Sequence, residues 1–183
     1  MSAHRSRRLL GFRYDPTTIA LHWLVAALVV AQWVGGRTID WFPKGELRID
    51  ARSVHILVGA ILAAAMVFRV YWKLFRAAKA PATPGDRLDA AARAAHWGLL
   101  LTVGAVAALG LILEGLRGDS LFNLARLPAL GPYAPPERHA TANQITDWHA
   151  LAANALLVFA ALHASAALVH HFILKDDVLR RMR

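Results

Sequence analysis

Four long apolar stretches constrain the fold of this chain more than any other feature. They cover about residues 17–35, 53–75, 88–113 and 146–174. A helix that crosses a bilayer needs about 20 mostly apolar residues, and each stretch is long enough. Apolar residues make up 57% of the chain, which exceeds the roughly 45–50% of soluble domains and leaves apolar surface for lipid to cover. The sequence predicts an all-α, integral membrane four-helix bundle that forms one domain over residues 1–183.

The connections between the spans predict how the helices are arranged. Neighbouring spans are joined by short segments, so we expect antiparallel packing in an up-and-down topology. Asp15 and Pro16 precede the first span as a helix N-cap and first helical residue would. The third connection, about residues 114–145, is the longest, and we expect irregular structure there. Helix-breaking residues support this expectation at five positions: Pro128, Gly131, Pro132, Pro135 and Pro136.

Basic residues predict the orientation of the bundle. The net charge is +9, but the charges lie between apolar blocks, which favours a membrane surface over nucleic acid as the partner. Of the 21 lysines and arginines, fourteen fall in the two tails and the second connection, and seven fall in the first and third connections. Cytoplasmic loops are the more basic ones, so both termini should face the cytoplasm. The first apolar run is longer than a signal-peptide core and three spans follow it, so we expect it to be retained.

Histidines inside the spans are the main candidates for chemistry. The chain contains no cysteine, which excludes disulfides, iron–sulfur clusters and thiolate catalysis. An ionisable residue inside a membrane indicates a functional site. Given the predicted topology, such histidines fall at two depths. His22 and His163 lie in the inner half of the membrane, and His55 and His149 lie in the outer half.

The spacing within the fourth span sharpens this prediction. His149 and His163 are fourteen residues apart, which places them on nearly one helix face with an axial separation of about 21 Å. Each can meet a histidine of the same depth on another helix, His149 with His55 and His163 with His22. Neutral imidazole is a strong iron ligand, and two imidazoles would fill both axial positions of a haem. The pattern therefore predicts two haem b groups that serve electron transfer.

Several neighbouring residues remain open to more than one interpretation. His96 lies in the inner half and could replace His22 as a ligand, line a quinone pocket or be structural. Arg69 and Arg52 are candidates to pair with haem propionates. Gly59 and the alanines near the ligands either let a flat macrocycle approach the backbone or permit close helix packing.

Three segments resemble the bacterial cytochrome b561 family. They are Ile19-Ala-Leu-His22-Trp23, Trp148-His149, and the run from His163 to Asp176 that contains His170-His171. With His55 and His96 the resemblance covers nearly the whole chain. It implies an inner-membrane bundle with two haems b, held by His22 with His163 and by His55 with His149. It also implies that His96 and His170 line a quinone site near the inner haem.

Within that family, the chain is most similar to the small di-haem type that acts as a superoxide:quinone oxidoreductase. The resemblance implies that superoxide is oxidised at the periplasmic side and that ubiquinone is reduced. The alternative is a haem b subunit that reduces quinone for a larger dehydrogenase or hydrogenase partner. A haem-free transporter or proton relay is the minor alternative, and the lack of Asp or Glu deep in the spans disfavours it.

Overall fold

The computed structural model describes residues 13–77, 87–129, 135–176 and 178–182. Within these ranges four long helices make up the fold: α1 (Pro16–Thr38), α2 (Glu46–Phe75), α3 (Arg87–Arg117) and α4 (Pro135–Val169). All four are long and apolar enough to cross a membrane. Consecutive helices pack against each other, and α1 also packs against α4. The predicted all-α four-helix bundle is thus confirmed.

The helices extend beyond the predicted spans. α2 begins at Glu46 rather than near residue 53, and α4 begins at Pro135 rather than near residue 146. Hydropathy marks only the apolar part of a helix, whereas the polar ends of these helices continue past it. The prediction that Pro135 and Pro136 lie in irregular structure is wrong, because proline is tolerated in the first turn of a helix, where its missing N–H costs no bond.

The start of α1 is as the sequence predicts. The Asp15 side chain accepts a hydrogen bond of 2.9 Å from the Thr18 backbone N–H, and Pro16 opens the helix. The same carboxylate also accepts from the Trp72 indole at 3.0 Å, so it ties α1 to the end of α2. Two residues of the predicted third connection, Gly131 and Pro132, lie outside the described residues, as do some of the basic residues counted in the tails and the second connection.

The buried core lies midway along the bundle. Six side chains from all four helices form it: Val25, Val29, Leu62, Met66, Val103 and Leu156. Leu156 is seven residues from His149 and seven from His163, so the core separates the two histidine levels. Large apolar side chains such as Leu101 (67% exposed) and Val67 (71% exposed) point outward. This outward apolar surface is what a lipid-embedded bundle requires.

The two ends of the bundle are closed differently. One end is here called the terminus end, because segments close to the two chain termini meet there. The Tyr14 N–H donates to the Arg181 carbonyl at 3.2 Å, and the Trp23 indole donates to the Met182 carbonyl at 3.0 Å. At the other end, here called the hairpin end, β1 (Ser120–Leu121) pairs with β2 (Ala125–Arg126) in an antiparallel hairpin.

Ser53 anchors the hairpin to the first turns of α2. Its side chain is fully buried. The hydroxyl donates to the Ile49 carbonyl at 2.8 Å and accepts from the Phe122 N–H at 2.9 Å. Phe122 and Asn123 have positive φ angles of 51° and 56°, which the tight turn between the two strands requires. Of the connection predicted over about residues 114–145, the described part therefore consists of the end of α3, this hairpin and the start of α4.

Candidate functional site

The four histidines singled out by depth lie in two pairs. His22 of α1 and His163 of α4 face each other at the terminus end, with ring centres 6.3 Å apart and ring planes at 68°. His55 of α2 and His149 of α4 face each other at the hairpin end, with ring centres 6.3 Å apart and planes at 86°. We call these the terminus-end pair and the hairpin-end pair.

The ring separation can be compared with the size of a metal ion. A bond from imidazole nitrogen to a divalent metal is about 2.0–2.1 Å, and each ring nitrogen lies about 1.1 Å from its ring centre. Two imidazoles that bind one metal from opposite sides therefore have ring centres about 6.2–6.4 Å apart. Both pairs have this spacing. The distance between ring centres in each pair therefore matches the distance expected for two imidazoles that bind one metal ion from opposite sides.

The chemistry of the gap favours a macrocycle over a bare ion. Among the residues that the structure describes, no group of three or more His, Cys, Asp or Glu side chains could hold a metal. Two imidazoles on opposite sides leave the equatorial positions to another ligand. A porphyrin supplies four equatorial nitrogens, so these residues fit a haem with two axial histidines.

His96 has a different position. Its ring centre lies 5.5 Å from that of His163, which is shorter than the separation needed for a metal between them. His22 therefore suits the axial partner of His163 better than His96 does. His96 instead lies beside the terminus-end pair, where it can serve as a neighbour of the site.

A hydrogen bond fixes the tautomer of His149 in the hairpin-end pair. His149 Nδ1 lies 3.0 Å from the Val106 carbonyl oxygen. A carbonyl can only accept, so Nδ1 carries the proton and the lone pair of Nε2 remains for a metal. His55 Nδ1 is buried and has no hydrogen-bond partner within the described part of the chain.

Two glycines make room for the hairpin-end rings. A Cβ atom on Gly110 would come within 3.2 Å of His149 Cε1, and one on Gly36 within 3.1 Å of His55 Cε1. These distances are shorter than ordinary carbon contacts, so any side chain there would push the ring. The contacts of these two glycines with the histidine rings were not predicted from the sequence. Glycines within the apolar spans were the available signal, but the sequence alone does not show which of them face a histidine.

Gly59 makes room for a polar side chain of the neighbouring helix. A Cβ atom there would lie 2.7 Å from Gln32 Nε2, and this amide donates to the His55 carbonyl at 2.8 Å. The glycine thus lets α1 bind the backbone of α2 at the ligand itself. This favours the close-packing interpretation of Gly59 over the macrocycle interpretation.

The terminus-end pair has a cation beside it. Arg69 Nη2 lies 3.2 Å from His22 Nδ1. The guanidinium is half-buried. No ion pair joins Arg69 to a carboxylate in the described ranges. Arg52, the other candidate partner of a propionate, lies at the hairpin end and pairs with Asp119 at 3.4 Å.

His170 lies at the terminus end, at the start of a π-helical turn (His170–Leu174) that follows α4. Its Nδ1 donates to Asp176 Oδ2 at 2.5 Å, and the left-handed Lys175 (φ 53°) turns the chain back to allow this bond. Partial burial tends to raise the pKa of Asp176, but the hydrogen bonds from His170 and from the Val178 N–H outweigh it and lower the pKa. His170 and His96 both lie in the described part of the chain, and no hydrogen bond or ring contact joins them there.

Comparison with known proteins places the chain in one family. The family model described as prokaryotic cytochrome b561 matches residues 13–183. The chain therefore belongs to the prokaryotic cytochrome b561 family, as its histidine motifs suggested. Members of this family bind haem b and transfer electrons in membranes.

Individual relatives cover nearly the whole chain. The chain is 27% identical to the probable superoxide oxidase CybB of Yersinia pestis, over 93% of this chain and 95% of that protein. It is 30% identical to cytochrome b561 homolog 2 of Escherichia coli K12, over 93% and 90% of the two chains. It is 28% identical to cytochrome b562 of Cereibacter sphaeroides, over 92% and 94%.

Family and fold together define the coarse function. The protein is a multi-pass protein of the bacterial inner membrane. It is a membrane electron-transfer protein with an oxidoreductase role at the level of the family.

Proposed function

We propose that the chain holds two haem b groups, one in each histidine pair, and transfers single electrons across the membrane from superoxide to ubiquinone. His22 and His163 would be the axial ligands at the terminus end, and His55 and His149 those at the hairpin end. The observation that carries the proposal is that both pairs have ring centres 6.3 Å apart, at opposite ends of one bundle.

When bound, a haem supplies an iron that accepts and releases one electron. The chain's own residues decide what else the site can do. Two imidazoles that hold the iron would leave no position at which oxygen or superoxide could bind it, so these residues would restrict the site to electron transfer. The apolar core between the pairs keeps water out of the region that electrons cross.

The proposed reaction balances in electrons and protons. Two superoxide anions each lose one electron and leave as two molecules of oxygen. One ubiquinone gains these two electrons and two protons to become ubiquinol. The similarity to a protein named as a probable superoxide oxidase supports superoxide as the donor, and the family's membrane electron transfer supports a lipid-soluble acceptor.

The distribution of basic residues supports the direction of transfer. The tails and the second connection carry most of the lysines and arginines, so we infer that the terminus end faces the cytoplasm and the hairpin end the periplasm. Superoxide would then react at the hairpin end. Quinone would bind at the terminus end, where protons are available from the cytoplasm.

His96 and His170 are the residues we propose for the quinone site. His96 lies against His163, so a quinone beside it would be close to the terminus-end ligands. His170 is hydrogen-bonded to Asp176 at the surface of the same end. An imidazole bonded to a carboxylate can pass a proton from the surface to a bound quinone oxygen.

The test uses the purified full-length protein and a water-soluble ubiquinone analogue. We expect two low-spin haems per chain in a reduced-minus-oxidised spectrum. Enzymatically generated superoxide should reduce them and, in turn, the quinone, and superoxide dismutase should abolish this reduction. One haem or none per chain would contradict the proposed sites. Two haems that superoxide does not reduce, together with a copurifying iron–sulfur subunit, would instead favour a subunit of a larger dehydrogenase or hydrogenase.

A further inference from the structure

We propose that Arg69 makes the terminus-end haem the more easily reduced of the two, and so sets the inward direction of electron flow. This inference rests on the proposed haem sites and adds a residue that tunes them. It follows from a difference between the two histidine pairs. Their ring separations are equal, but the groups that contact the rings differ.

A positive charge lies directly on the terminus-end pair. The Arg69 guanidinium is 3.2 Å from Nδ1 of His22, one of the two rings of this pair. Reduction of a haem adds one negative charge to the site. A nearby cation stabilises that added charge, and partial burial lets it act with less screening than in water. Arg69 should therefore raise the reduction potential at this end.

The hairpin-end pair has the opposite kind of neighbour. The His149 N–H donates to the Val106 carbonyl, and such a bond makes the imidazole a stronger electron donor to its metal. Electron donation stabilises oxidised iron and lowers the potential. Among the residues that the structure describes, no hydrogen bond or ion pair joins a cation to the ring of His55 or His149. Arg52, at the same end, is paired with Asp119.

The charge of Arg69 must remain near the site when a haem binds. A guanidinium has donors only, so His22 Nδ1 is the acceptor in the observed contact. Coordination through Nε2 leaves a proton on Nδ1 of a neutral ring, and Arg69 then needs another acceptor. A haem propionate is the anion that arrives with the cofactor. Because that pairing offsets part of the charge, we expect a moderate effect on the potential rather than the full effect of a bare cation.

The experiment is a spectroscopic redox titration of the full-length holoprotein in detergent. The two haems are first assigned to their ends by their loss in variants of His163 and His149. In the unaltered protein the terminus-end haem should have the higher midpoint potential. In Arg69→Gln its potential should fall by about 59 mV or more, which is a tenfold change in the equilibrium of a one-electron couple. The hairpin-end potential should stay unchanged.

Two further variants separate charge from structure. Arg69→Lys keeps the charge and should retain most of the difference between the haems. Arg76→Gln removes the same charge at an exposed position directly after the end of α2, seven residues further along the chain, and should leave both potentials unchanged. If Arg69→Gln loses the terminus-end haem, retention of that haem at near-normal potential in Arg69→Lys supports the role of the charge.

Three results would overturn the inference while leaving the haem sites intact. The first is a hairpin-end haem with the higher potential in the unaltered protein. The second is an Arg69→Gln shift no larger than that of Arg76→Gln. The third is loss of the terminus-end haem in both Arg69 variants, which would make the guanidinium a structural anchor rather than the source of the potential difference. Absence of either haem from the unaltered protein would instead contradict the proposed function itself.

Discussion

The terminus-end and hairpin-end pairs have the same separation between ring centres, but the groups around the two pairs differ. Both hold two imidazoles at 6.3 Å, one of them from α4. At the terminus end the neighbours are a guanidinium and another histidine, Arg69 and His96. At the hairpin end they are a backbone carbonyl and glycine surfaces. Helix packing thus fixes the spacing of the histidines at both ends, whereas single side chains distinguish the two sites.

Replacing the four proposed ligands one at a time should have the largest effect and should separate the two ends. Alanine at His22 or His163 should remove the terminus-end haem, and alanine at His55 or His149 the hairpin-end haem, because one imidazole cannot hold the iron from both sides. Haem content per chain, from the reduced spectrum, should fall from two to one in each variant. The remaining haem should keep its own spectrum.

His96→Ala is the matched control for that series. Its ring is closer to His163 than a shared metal would allow, so this variant should keep two haems. If His96→Ala lost the terminus-end haem while His22→Ala kept it, the pairing of His22 with His163 would be wrong.

A smaller change should affect only the hairpin end. In Gly110→Val the new side chain would press on the His149 ring, since even a Cβ atom there lies 3.2 Å from Cε1. Displacing an axial ligand by a few tenths of an ångström should lower the affinity for the hairpin-end haem by about tenfold, comparable to the loss of a supporting contact. The measurement is haem retention on dilution or with a haem-binding competitor.

Gly104→Val provides the control on the same helix. A Cβ atom at Gly104 meets nothing within 4 Å, so this variant should retain both haems as the unaltered chain does. Equal losses in the two variants would mean that valine disturbs α3 in general, and that the close approach to His149 has no special role.

The fold and the two pairs of neighbouring histidines are the parts that the sequence makes predictable, whereas their role as haem ligands stays a prediction. Apolar length and the spacing of His149 and His163 depend only on helix geometry, which the sequence displays directly. His55 and His22 could be matched to them by depth, because the connections are short and the helices alternate in direction. The resemblance to cytochrome b561 adds the same pairing independently.

The neighbours of the ligands were harder to predict, for a physical reason. Contacts such as Val106 with His149, Gly36 with His55 and Gln32 with the His55 carbonyl depend on the rotation of each helix about its axis. Hydropathy does not fix that rotation when apolar residues surround the whole helix. The start of α4 at Pro135 was missed for another reason, since proline in a first helical turn looks like a loop residue in sequence.

The two ends should also differ in their response to acid, and this is the smallest effect we predict. At the terminus end, Asp176 accepts from the His170 ring and from the Val178 N–H, and its pKa is lowered from the ordinary 3.8. A carboxyl with a lowered pKa stabilises the fold above its ordinary pKa, and this stabilisation is lost as the pH falls through the lower, folded value. At the hairpin end, the Phe122 N–H donates to the Ser53 hydroxyl, which does not titrate. Hydrogen exchange, corrected for the intrinsic pH dependence, should therefore show the Val178 amide losing protection below about pH 4, while the Phe122 amide keeps its protection.

In Asp176→Asn, which retains an acceptor but no titrating group, the protection of Val178 should not vary with pH. If Val178 and Phe122 respond alike to acid, or if the asparagine variant behaves as the unaltered chain does, the carboxylate does not control the turn at the terminus end.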